Sequence, residues 1–138
     1  MIIKPASPKQ TGQIPIAKAP IEQCIRFSFK YLDTTSNKKF DLQHCKGGYL
    51  SKFLARLKDL EGWRLKDFRG GDPTLRGHPI RFLETTEPQG FTCLNLQLRQ
   101  HEAWQFSLTA NKHGRVHGLL MDDVFYIVWL DPAHKLYQ

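Results

Sequence analysis

The chain has 138 residues, of which 41% are apolar, and a formal net charge of +7. That length and composition fit one globular domain and exclude a disordered chain, and no apolar run reaches the length of a membrane span. Three widely spaced cysteines (Cys24, Cys45 and Cys93) with no CxxC pair point to buried free thiols rather than a disulfide framework or structural zinc.

The charge is uneven. Residues 1–82 carry 16 Lys and Arg against 7 Asp and Glu, and residues 83–138 carry 4 against 6. A basic first half suggests an anionic partner such as RNA, DNA or an acidic protein. Residues 1–22, with the phrases KPASPKQ and PIAKAP, lack any strand or helix periodicity and read as a flexible extended arm ahead of a single domain, 23–138. No charged-then-apolar leader opens the chain, which predicts a cytoplasmic protein.

From Ile25 to Tyr31 apolar and polar residues alternate, as in a half-buried strand. Tyr49, Leu50, Phe53, Leu54, Leu57 and Leu60 then recur at helical spacing, and Gly62 is a plausible stop. Asp41 is placed to cap a turn through Gln43–Cys45. Lys46, Lys52 and Arg56 form a basic stripe on the helical stretch and, with Arg81, are the candidate RNA-binding residues. Trp63, Leu65 and Phe68 suggest a second helical turn, and Gly70–Pro73 breaks the chain. His78–Pro79 argues against helix at that point. Phe91–Gln100 fits either period; its polar residues favour a short helix.

Trp104–Thr109 alternates again, with Trp104 and Trp129 read as core residues. Arg115–Met121 and Val124–Leu130 flank the polar pair Asp122–Asp123, a hairpin signal. The run VFYIVWL has no polar side and predicts an inner strand covered on both faces. On its partner, Arg115, His117 and Leu119 share one face, and Val116, Gly118 and Leu120 the other. The expected fold is α+β: an antiparallel sheet of about four strands with helices packed on one face. The two-sided apolar strand also fits self-pairing into a homo-oligomer.

No P-loop, GxGxxG, HExxH, GxSxG or EF-hand loop is present, and no cofactor or metal is expected. What remains is a basic and aromatic set near the C-terminus. Arg115 can hold a phosphate through a forked pair of hydrogen bonds. His117 or His134 can move a proton near neutral pH. Lys135 can stabilise developing negative charge, Tyr137 can stack on a base, and Glu102 is a complementary acid or base. These are the residue types that metal-free RNA cleavage requires.

The strand–helix–three-strand order resembles the RelE/YoeB/ParE superfamily of bacterial toxins. So does an arginine on the penultimate strand ahead of a basic tail bearing His and Tyr. The likeness covers roughly 25–60 and 104–137. On it, Arg115 matches the strand arginine, His134 and Tyr137 the C-terminal pair, and Glu102 the acidic residue. The resemblance implies a metal-independent endoribonuclease acting on messenger RNA, at the ribosome among other places, and neutralised by a small antitoxin protein. The chain departs from a minimal member in its N-terminal arm, in the insertion 62–100 and in the two residues between His134 and Tyr137. The basic half also fits a non-catalytic inhibitor encoded on a mobile element that binds nucleic acid or protein.

Overall fold

A computed structural model describes residues 23–34, 36–40, 42–45, 47–109 and 114–137. The expected arm and the Asp41 cap lie outside these residues. The organising unit is a meander of β3 (Glu102–Ser107), β4 (Arg115–Met121) and β5 (Val124–Asp131). Successive strands here are antiparallel, and Met121 pairs with Val124 across the Asp122–Asp123 turn. Asp122 takes a φ of 56°, which aspartate tolerates better than branched residues.

The sheet is mixed rather than purely antiparallel, and it has five strands. Its order is β1-β5-β4-β3-β2, with β1 (Arg26–Ser28) parallel to β5 and β2 (His78–Pro79) antiparallel to β3. Residue alternation marks which side chains are buried, but not the direction of a partner nearly 100 residues away. Pro79 has no N–H to contribute and accordingly sits in an edge strand.

Helices α1 (Tyr49–Leu60) and α2 (Leu65–Arg69) cover one face, as the periodicity predicts. Tyr49, Phe53, Leu57 and Leu60 of α1 and Phe68 of α2 pack with Trp104, Phe106, Val116, Leu120, Phe125, Ile127 and Leu130. Leu50 and Leu54, assigned to the apolar side of the helix, remain exposed.

The other face is buried as well, beneath irregular chain. Phe40, Ile80, Phe91, Leu94 and Leu136 close over Leu119, Val128 and Trp129. Of the helix expected at Phe91–Gln100, only the 3₁₀ turn Leu98–Gln100 forms. The Asn95 carboxamide accepts the Leu98 amide at 2.8 Å, which caps that turn and competes with a continuous helix.

A bulge joins the two faces. His117 pairs with Trp129, but Gly118 pairs with Ile127, so Val128 is the extra residue of β5. Ile127 and Leu130 therefore point to the helices, while Val128 and Trp129 point to the opposite side. Among the described residues Cys24, Cys45 and Cys93 form no disulfide, but Cys24 is exposed and the other two only half-buried, not buried as expected. Among the described residues, no helix is long and apolar enough to cross a membrane.

Candidate functional site

Antiparallel register sets Gln105 opposite His117, Ser107 opposite Arg115, and Arg115 opposite Asp131. Paired residues share a face, so these five polar side chains meet on the side away from α1. All five are buried. Polar groups buried together must find partners or carry a desolvation cost.

Asp131 supplies most of the partners. Its Oδ2 accepts from His117 Nε2 at 3.0 Å and from the Leu136 amide at 3.0 Å, and its Oδ1 accepts from the Lys135 amide at 2.7 Å. Burial pushes the carboxyl up. The His117 bond and the two amides outweigh it, so Asp131 lies below the ordinary carboxylate value. His117 is fully buried, and burial outweighs Asp131 to hold its pKa below the ordinary value. The pair is thus a neutral imidazole donating to a carboxylate, not an ion pair. Because Nε2 carries the proton, Nδ1 is a bare acceptor, and it has no hydrogen-bond partner among the described residues.

The tail 132–137 is stapled rather than loose. Besides the Asp131 bonds, the Thr86 hydroxyl donates to the Lys135 carbonyl at 2.9 Å and the Thr86 amide to the Leu136 carbonyl at 2.8 Å. Leu136 is fully buried. Residue 134 turns back at φ 55°, and its amide reaches the Asp131 carbonyl at 3.3 Å. This leaves the His134 ring half-buried. Its pKa is lowered by burial first and then by the Arg115 charge, with His117 and His78 adding to the effect and Asp131 opposing it.

Arg115 is 7% exposed. Its Nη1 donates to the Gly114 carbonyl at 3.2 Å, and its Nε has no hydrogen-bond partner among the described residues. Burial, then the nearby Arg76 charge, lowers its pKa, against Asp131. His78 stands at the sheet edge with both ring nitrogens engaged. Nδ1 lies 2.7 Å from the Pro79 carbonyl and Nε2 3.0 Å from Gln105 Nε2, so Nδ1 carries the proton and Nε2 accepts.

Arg115, His117 and His134 therefore do share one end of the sheet, although the first two are buried. Tyr137 lies at the margin, its hydroxyl accepting the Arg81 amide at 3.0 Å and its ring 5.7 Å from that of His78. Lys135 joins through its backbone. Glu102 is at the far end of β3: five residues before Ser107, about 17 Å along the strand. There it pairs with Arg69 at 2.8 Å. Lys52 is exposed on α1, on the other side of the sheet. Arg56 of the same helix donates to the Ser107 carbonyl at 3.1 Å and the Thr74 carbonyl at 2.9 Å, so it anchors a loop. Lys46 lies outside the described residues.

Comparisons with protein-family models, with curated proteins and with solved structures gave no match. The site thus rests on its own geometry. Sequence reading missed Asp131, His78, Gln105 and Arg76 as members. The one available signal was an aspartate closing an all-apolar strand before a proline, and a turn explained it equally well.

One consequence concerns pH. His117 and His134 both have folded pKa values below their ordinary 6.5. As pH falls below about 6.5 the unfolded chain takes up these protons before the folded one does, so stability drops. The expected slope is up to about 1.4 kcal/mol per pH unit for each histidine. Asp131 adds a separate loss only at lower pH, as its own depressed pKa is crossed. Urea unfolding from pH 8 to pH 5 checks this. The wild type should weaken steadily below 6.5 and His117→Gln less so; a flat profile for the wild type would contradict the neutral buried imidazole.

Proposed function

We propose that the chain is a metal-independent endoribonuclease of RelE-like form acting on messenger RNA. The observation that carries the reading is His134: half-buried, with a lowered pKa, fixed by the Asp131 staple and within electrostatic range of Arg115. A base that is unprotonated at neutral pH beside a cation that cannot lose its charge is what 2′-hydroxyl attack needs. His134 takes the 2′-hydroxyl proton. The 2′-oxygen bonds to phosphorus, the bond to the 5′-oxygen breaks, and that oxygen is protonated by water. The products are a 2′,3′-cyclic phosphate and a 5′-hydroxyl. Arg115 and Arg76 offset the added charge on the phosphoryl oxygens. His117 and Asp131 touch no substrate; they hold the tail and its histidine in place. On the same reading a small neutralising protein covers this end of the sheet.

The test is cleavage of single-stranded RNA by purified protein in excess chelator, with product ends identified. His134→Ala is expected to lower the rate about 100-fold, because the ring is at the edge of the site and its loss leaves the staple intact. An unchanged rate in that variant would overturn the assignment. RNA binding that weakens steeply with salt, without any turnover, would instead favour a non-catalytic inhibitor.

A further inference from the structure

A cleft of about 370 Å³ is lined by Pro79, Arg81, Glu84, Tyr137 and His78, the last within electrostatic range of His134. Two of its walls are flat aromatic rings, those of His78 and Tyr137. The Tyr137 ring is fixed because its hydroxyl accepts the Arg81 amide, and the His78 ring is fixed through both nitrogens. The two rings meet edge to face at 68°, so one rigid ring face is the surface on which a base stacks. The rim is the 3₁₀ turn Phe82–Glu84 with Arg81 just before it. Arg81 caps this turn in an extended conformation, and its fork lies beside the Glu84 carboxylate. Their ion pair is loose, at 3.8 Å, and the side chains are 81% and 63% exposed, so neither is committed to the other.

The geometry points to a guanine-reading pocket in this cleft. A guanine offers, along one continuous run of its edge, two acceptors (N7 and O6) and then two donors (N1–H and the N2 amine). An arginine fork matches the first pair. A carboxylate, an acceptor with two oxygens, matches the second. Adenine, cytosine and uracil each lack a second adjacent donor for Glu84. The reading side chains come from 62–100, the stretch that a minimal member of the resembled superfamily lacks. The inference rests on the ribonuclease reading in taking single-stranded RNA as the source of the base.

The experiment is fluorescence anisotropy with four uridine-rich oligoribonucleotides that differ only in a central G, A, C or U, at one fixed salt concentration and in chelator. The wild type should bind the G oligomer at least about tenfold more tightly than the others. Arg81→Ala and Glu84→Gln should each bring the G oligomer down to the level of the U oligomer. Both keep the backbone amides that build the turn. Equal wild-type affinity for all four, or a G preference that survives in both variants, would overturn the pocket. Cleavage is scored separately. G-selective binding without cleavage would leave the pocket and remove the ribonuclease; cleavage without base preference would do the reverse. Competition by guanosine monophosphate at least as strong as that by the G oligomer would assign the cleft to a free nucleotide rather than a strand.

Discussion

Gly118→Ala is expected to destabilise the protein by at least about 3 kcal/mol, lowering the melting temperature by roughly 10 °C. At the bulge, β5 presses its backbone against β4 so closely that a Cβ on residue 118 would overlap the Tyr126 carbonyl oxygen and come within 2.6 Å of Phe125 Cε1. The first obstacle is main chain held in a ladder, so it cannot swing aside as a side-chain end could. The second is the ring of Phe125, fully buried and packed at 5.1 Å from Phe106 and 5.9 Å from Phe68. Relief requires β4 and β5 to separate at the point where Val128 crosses to the other face. Chemical denaturation of the alanine variant checks this. A loss below about 1 kcal/mol would mean that the bulge relaxes freely and that Gly118 is not what permits the close approach.

That bulge also shows where sequence reasoning stops. The Asp122–Asp123 hairpin, the inner position of β5 and the helix at Tyr49–Leu60 follow from local pattern, because turn residues and apolar spacing act within a few residues. The shared face of Arg115 and His117 follows equally directly from alternation. The parallel pairing of Arg26–Ser28 with Val124–Tyr126 does not, since three residues carry too little information to choose a partner. Leu94, Leu96 and Leu98 mislead for another reason. Leu94 and half-buried Leu98 face inward with Phe91 at helical spacing and Leu96 is exposed, yet only turns form, because chain that covers a sheet face is shaped by the surface beneath it. Glu102 opens the strand that ends at the site, and strand length carries it to the opposite end. Asp131 went unrecognised because its burial depends on His117 fourteen residues upstream and on two amides of the returning tail.

Asp131→Ala is the substitution expected to join stability and function, at a cost on the order of 4 kcal/mol. Three donors lose their acceptor together: His117 Nε2 and the Lys135 and Leu136 amides. His117 is then left with neither ring nitrogen paired, buried against the rings of Phe40 and Trp129. Asn in place of Asp keeps the shape but offers a single acceptor oxygen. Its amide nitrogen must face either the Lys135 N–H or the Leu136 N–H, so donor meets donor and about half the loss should remain. Both variants loosen the tail from β5, Ala by removing both side-chain bonds and Asn by removing one, while Thr86 still holds it at Lys135 and Leu136. His134 should then lose its fixed position, so that RNA cleavage falls in Asp131→Asn even where the fold persists, whereas the stability slope attributed to His117 below pH 6.5 should persist, because Asp131 raises the His117 pKa and its loss lowers that value further. Denaturation and cleavage measured on the Asn variant at pH 7.5 separate the two effects. Full activity alongside reduced stability would show that Asp131 serves the fold alone and that His134 does not depend on the staple.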